Sequence, residues 1–151
     1  MSYKSDLYQQ VILEHNRKPR NFRVIEGGSA SCDGHNPLCG DKLTVYVKVN
    51  PEEIIEDISF QGSGCAISKS SASMMTAFLK GRTVPESRII FDEFHRMIVG
   101  EFDPESPQSH LGRLAIFSGV REYPSRTKCA TLAWHAMICA VDEMDIFRIN
   151  G

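Results

Sequence analysis

Two consecutive segments set the architecture open to this chain. Leu43-Thr44-Val45-Tyr46-Val47-Lys48-Val49 alternates apolar and polar residues, the period of a strand buried on one face. After the turn Asn50-Pro51-Glu52-Glu53, Ile54 to Gln61 reads as the next strand, with Ile58 and Phe60 on one face. Residues 20 to 28 read as a connection into an earlier strand near Ser29 to Asp33. Gly62-Ser63-Gly64 stops the sheet, and the segments beyond it read as helices.

Four helices and a short one are expected around that sheet. Ser5 and Asp6 can cap a first helix to about Asn16, with Leu7, Val11 and Ile12 as its apolar stripe and Pro19 beyond its end. A second runs from about Cys65 to Lys80 and is ended by Gly81; Met74, Met75 and Phe78 form its core face. Pro85 opens a third through Phe91, Phe94, Met97 and Ile98, ended by Gly100. Asp103-Pro104-Glu105-Ser106-Pro107 is the clearest loop, followed by a short helix near Leu111 to Phe117. The last long helix starts around Arg126 and reaches about Phe147. A small antiparallel three-stranded sheet packed against several helices is an α+β layout, here a single domain over residues 1–151.

A chain of 151 residues can bury its own core, so a metal is not needed merely to fold it. A net charge of −2 argues against a general nucleic-acid binder, and only a local basic patch stays open. The N-terminus lacks a basic region followed by an apolar run, and no apolar stretch approaches the ~20 residues that cross a bilayer. The expectation is a cytoplasmic protein without a membrane partner. In that reducing setting five cysteines, an odd number, are not expected to be a disulfide framework.

Three cysteines and one aspartate carry the chemistry. Cys39 and Asp41 lie two apart in Asn36-Pro37-Leu38-Cys39-Gly40-Asp41, and alternate residues of an extended chain point the same way. Cys65 sits where a glycine loop meets a helix N-terminus, a position that stabilises a thiolate. Cys129 falls in the first turn of the last helix beside Arg126 and Lys128, so helix and cations are both expected to lower its pKa. Three thiolates and a carboxylate suffice for a tetrahedral metal site, and the metal site is expected at one end of the domain. The spacing alone is not a zinc-finger pattern, and small buried cysteines are common in cores.

The remaining reactive types have blander readings. Cys32 and Cys139 read as buried structural cysteines; Cys139 is ten residues after Cys129, about 280° around a helix, and does not share its face. His35 is a substitute ligand candidate, or a loop histidine against the turn. His15, His95, His110 and His135 read as surface or packing residues. Ser68, Ser70, Ser71 and Ser73 read as close helix packing, since Gly62-Ser63-Gly64 is not a nucleophile elbow. Arg126 either neutralises Cys129, pairs with a partner's acid, or is a solvated charge.

Asn36-Pro37-Leu38-Cys39-Gly40-Asp41, Phe60-Gln61-Gly62-Ser63-Gly64-Cys65-Ala66-Ile67-Ser68 and Arg126-Thr127-Lys128-Cys129-Ala130-Thr131-Leu132-Ala133-Trp134 resemble the three cysteine motifs of the NifU-N/IscU family of iron–sulfur cluster assembly. The resemblance covers nearly the whole chain, including the segment Asp6-Leu7-Tyr8 through Ile12-Leu13-Glu14-His15. Within the family the chain is most similar to the SufU branch. IscU-type scaffolds carry a histidine before the third cysteine and a Leu-Pro-Pro-Val-Lys chaperone-binding stretch ahead of it. Here Lys128 and Glu122-Tyr123-Pro124-Ser125-Arg126 stand in those places. The 63 residues between Cys65 and Cys129 are also longer than in the scaffold branch, with the excess around Val99 to Gln108.

The resemblance implies zinc held by Cys39, Asp41, Cys65 and Cys129, and a sulfurtransferase that takes persulfide sulfur from a PLP-dependent, SufS-like cysteine desulfurase. It implies Cys39 as the released acceptor, with Cys129 the competing candidate and Arg126 in support. Downstream cluster-assembly proteins would be the other partners. Two alternatives stay open. One is a scaffold on which a transient [2Fe–2S] cluster is assembled and passed on, since thiolates bind zinc and clusters alike. The other is a purely structural zinc site, against which Asp41 argues.

Overall fold

The computed structural model describes the backbone of residues 3–150 and the side chains of residues 7–146. β1 (Ala30–Asn36), β2 (Asp41–Val49) and β3 (Ile55–Ser63) form one antiparallel sheet in the order β1-β2-β3. The alternation in β2 buries Leu43, Val45, Val47 and Val49 on one face. Across the ladder Val45 faces Phe60 and Val47 faces Ile58, so the apolar faces of β2 and β3 coincide. Asn50 turns the chain between them: its Oδ1 accepts the N–H groups of Glu52 and Ile54. β1 runs three residues beyond Asp33 and pairs with β2 down to Asn36 opposite Asp41.

Seven-residue β1 and nine-residue β2 leave a turn of Pro37-Leu38-Cys39-Gly40, with Gly40 at φ +73°. Gly81 (φ +88°) and Gly100 (φ +85°) follow the ends of α2 (Ala66–Leu79) and α3 (Val84–Ile98), as the sequence suggests. α3 opens on a capping box in which Thr83 and Glu86 bond each other's backbone N–H. α1 (Tyr3–Arg17) already includes Ser5 and Asp6, so they do not precede the helix; their side chains lie outside the described residues. Ile12 is buried, Val11 half-buried and Leu7 40% exposed, so the stripe of α1 is narrower than expected.

The short helix near Leu111 is instead an 11-residue 3-10 stretch, Gly112–Glu122. Leu114, Phe117 and Val120 recur every third residue, and all are fully buried. Three residues per turn is the 3-10 period, so this spacing puts all three on one face where an α-helix would splay them. A second 3-10 turn, Pro124–Arg126, leads into α4 (Thr127–Asn150).

α4 lies across β1 and β2 and against α2; α1 packs on α2, and α3 on α4 and the 3-10 stretch. Phe94 stacks on Trp134 at a centroid distance of 4.4 Å in this core. The serines of α2 are indeed packing residues, but bonded ones. Ser71 Oγ donates to the Ala130 carbonyl on α4 at 2.6 Å and accepts from Trp134 Nε1 at 3.1 Å. Ser73 Oγ accepts the Arg20 N–H at 2.8 Å and lies 2.7 Å from His15 Nδ1. His15 is a buried packing histidine, and burial holds its pKa below the ordinary value.

Two sequence expectations fail together. Cys32 and Cys139 are joined in a disulfide, with Cα atoms 6.0 Å apart. Neither is an inert core thiol: Cys32 is half-buried and Cys139 lies at the exposed edge of α4. Their pairing depends on α4 crossing β1, a contact between segments 107 residues apart. Cys139 faces away from Cys129 around the helix, and that direction is toward β1. Among the described residues, no helix is long and apolar enough to cross a membrane.

Candidate metal centre

Three chain segments end at one place. The β1–β2 turn supplies Cys39, the first residue of β2 supplies Asp41, and the first turn of α4 supplies Cys129. One ligand atom from each lies within 4.8 Å of the other two. Cys129 Sγ is 3.3 Å from Cys39 Sγ, and Asn36 Nδ2 donates to Cys129 Sγ at 3.6 Å. Cys39 and Asp41 meet across a turn through left-handed Gly40, not along an extended strand.

Cys65 is the N-cap of α2, and its sulfur accepts the Ser68 N–H at 3.5 Å. It is not within the close triad. It is tied to the triad through its backbone: the Cys65 N–H donates to Asp41 Oδ1 at 2.8 Å, and Ser68 Oγ donates to the same oxygen at 3.2 Å. His35 points elsewhere in the register, opposite Lys42 on the exposed side of β1, and is not part of the cluster.

Burial differs sharply among the thiols. Cys39 is exposed, Cys65 half-buried and Cys129 fully buried. Burial pushes the Cys129 thiol far above its usual range, and its hydrogen bonds to Cys39, Asp41 and Cys65 push the same way. This reverses the expectation from Arg126 and Lys128: adjacent cations in sequence do not offset a desolvated sulfur among acidic neighbours. Burial also opposes ionisation of Asp41, but the Cys65 N–H and the thiol and hydroxyl donors outweigh it and hold the carboxyl below its ordinary value. Arg126 stands exposed over the cluster; its pKa is raised first by Cys65, then by Cys129 and Cys39. Tyr8, pushed up to about 12 chiefly by burial and then by Tyr123, also feels Arg126 and Cys65.

The donor set fits a thiophilic metal ion. Asp41 is 0% exposed, yet its Oδ2 has no hydrogen-bond partner of ordinary geometry among the described residues. An ionised carboxylate with a bare buried oxygen beside two close sulfurs is what a cation would complete. The Cys39 and Cys129 sulfurs, 3.3 Å apart, and the Asp41 carboxylate are near enough together for one ion to be held by all three.

The sequence reading missed the supports of this site. Asn36 lies inside the quoted Asn-Pro-Leu-Cys-Gly-Asp stretch, and Ser68 inside the Cys65 stretch, so a signal was present. Gly64 is a third. A Cβ there would collide with Ser68 Oγ and come within 2.8 Å of Asp41 Oδ1. Gly64→Ala is expected to displace the Asp41 carboxylate and lower the metal bound per chain, measured by elemental analysis after loading parent and variant with zinc. The same clash is expected to lower the melting temperature of the metal-free protein. Full metal retention would show that the bare Gly64 position does not set the placement of Asp41.

The chain matches the family described as NifU-like N terminal domain over residues 7–130, which includes Cys39, Asp41, Cys65 and Cys129. It belongs to that family. Among relatives of known name, this family member is 39% identical over 140 residues to the zinc-dependent sulfurtransferase SufU of Bacillus subtilis (strain 168), covering 91% of this chain and 92% of the relative. It is 38% identical over 137 residues to the iron-sulfur cluster assembly scaffold protein IscU of Streptococcus pyogenes serotype M1, covering 91% and 84%. The fold matches the crystal structure of a nitrogen-fixing NifU-like protein (N-terminal) from Brucella abortus. The TM-score is 0.82 at 25% identity, over 95% of this chain and 98% of that one.

Proposed function

We propose that this NifU-N family member is an iron–sulfur cluster assembly protein acting as a zinc-dependent sulfur acceptor for a PLP-dependent cysteine desulfurase. The observation that carries the reading is the pairing of an exposed thiol, Cys39, with a buried, partly bare carboxylate and a buried second thiol. Cys39, Asp41 and Cys129 would hold the ion, and Cys65, whose N–H bonds Asp41 and whose thiol neighbours Cys129, is the fourth candidate ligand. Zinc there would keep thiolates deprotonated at neutral pH and exchange ligands without redox chemistry. The transfer itself belongs to Cys39. Its thiolate attacks the outer sulfur of the desulfurase persulfide; a new S–S bond forms on Cys39, the old one breaks, and the desulfurase cysteine leaves as thiolate. Arg126, exposed above the three sulfurs, would offset negative charge as the persulfide arrives.

The second reading, a scaffold for a [2Fe–2S] cluster, is favoured by a comparable identity to a relative named as a scaffold. Lys128, in the place of the scaffold histidine, favours sulfur transfer, because a protonated ammonium does not bind iron. The discriminating experiment measures metal on the isolated protein and its effect on a matched desulfurase. About one zinc per chain, strong stimulation of cysteine turnover and poor anaerobic cluster reconstitution are expected. A stable coloured [2Fe–2S] protein without stimulation would establish the scaffold instead.

A further inference from the structure

A cavity of about 260 Å³ opens among α1, α2 and the Gly112–Glu122 stretch, with His15, Met74 and Phe78 in its wall. Three guanidinium groups from three segments line it: Arg20 after α1, Arg82 after α2 and Arg113 in the 3-10 stretch. No aspartate or glutamate does. The cavity lies toward the C-terminal end of α2, whereas Cys65 caps the N-terminal end. Fourteen helical residues separate the ends, roughly 20 Å at 1.5 Å per residue. This inference therefore does not rest on the proposed function.

Three arginines outside the cavity are paired with carboxylates. Arg23 makes two bonds to Asp57 at 2.6 and 3.0 Å, Arg88 bridges Asp142 and Asp145, and Arg96 reaches Asp92. Among the described residues, Arg20 and Arg113 have no carboxylate within ion-pair distance. Arg82 has only the exposed Glu86 at 3.5 Å. Its fork is preset: Nε donates to the Phe78 carbonyl at 2.8 Å and the guanidinium lies 4.3 Å over the Phe78 ring. Arg20 is fixed by its backbone, whose N–H donates to Ser73 and whose carbonyl accepts from Thr76. After burial, Arg20 and then Arg113 lower the pKa of His15 while Glu14 raises it, which places both cations and one carboxylate near that ring. Arg20 and Arg113 are exposed and Arg82 half-buried, so solvent screens their mutual repulsion, and the three cations stand at the open side of the cavity where one anion can be shared among them.

We infer that this cavity is a binding site for a compact multivalent oxyanion, held by Arg20, Arg82 and Arg113. Planar guanidinium forks suit phosphate and carboxylate oxygens equally, so the shared chemistry is a small di- or trivalent anion. The test titrates the full-length protein with sodium phosphate and, separately, with citrate, at ionic strength held constant with chloride. Calorimetry is expected to give one site per chain with Kd below about 1 mM for at least one of them. The tighter of the two identifies the phosphate or the carboxylate class. Arg20→Ala and Arg113→Ala are each expected to weaken binding about tenfold or more, since each removes charge-assisted bonds. Arg96→Ala, on a paired surface arginine, is expected to change nothing. Melting curves without anion check that the variants fold as the parent does. No binding of either anion below about 10 mM would overturn the inference. So would binding that survives both substitutions, or binding that Arg96→Ala weakens as much.

Discussion

A Cys39→Ala variant, incubated with its desulfurase and cysteine, is expected to carry no persulfide and to lose stimulated sulfur transfer by about 1,000-fold or more, as removal of a nucleophile does elsewhere. Peptide mass spectrometry on parent and variant reads the site directly. The structure narrows the choice between the two candidate thiols. Cys129 is fully buried in the first turn of α4, and burial works against its ionisation. Cys39 is exposed on a four-residue turn. If zinc is held as proposed, Cys39, Cys65 and Cys129 are expected to react slowly with alkylating reagents in the free protein, and docking of the desulfurase to release Cys39 from the ion. A persulfide found mainly on Cys129, with Cys39→Ala still active, would transfer the acceptor role to Cys129.

The second large effect concerns stability. Cys32 and Cys139 close a loop across 107 positions, and a link of that span constrains the unfolded chain strongly. Cys139→Ser is expected to destabilise the oxidised protein by about 2–4 kcal/mol. For a chain of this size that lowers the melting temperature by roughly 5–15 °C. Because Cys139 is at an exposed edge, a dithiol reductant is expected to bring the parent down to the variant's melting temperature. Equal melting of parent and variant without reductant would show that the link contributes nothing. Zinc content is expected to stay the same in both, since neither cysteine belongs to the ligand cluster.

The sheet and most of the helices were legible because the signals are local. The β2 alternation and the glycines at 81 and 100 report the conformation of their own few residues, but Gly62-Ser63-Gly64 does not stop the sheet: β3 runs on through Gly62 and Ser63, paired with Leu43 and Lys42. The disulfide was not legible, since it exists only where α4 crosses β1, and reasoning from a reducing compartment pointed the other way. The Cys129 pKa failed for a related reason. Arg126 and Lys128 are neighbours in sequence, but the neighbours in space are two sulfurs and a carboxylate around a fully buried thiol. The 3-10 stretch was legible in principle: Leu114, Phe117 and Val120 print a three-residue period that a search for 3.6-residue periodicity passes over. At the centre itself, the motif cysteines and Asp41 were found, but the positioning roles of Asn36, Ser68 and Gly64 were not, although all three stand inside the same motifs, because those roles depend on contacts between segments.

The β1–β2 turn limits how far a cargo can be carried. Pro37 to Gly40 is spanned by the paired residues Asn36 and Asp41, and Asp41 is pinned by Cys65 and Ser68. With both ends of a four-residue arc fixed, the Cys39 sulfur has a sweep of only several ångström. Leu38, 84% exposed, rides on the same arc as a blunt apolar tip. If Cys39 is the acceptor, it works as a fixed pier: the long reach in a transfer belongs to the donor, whose sulfur has to come to the turn and withdraw again.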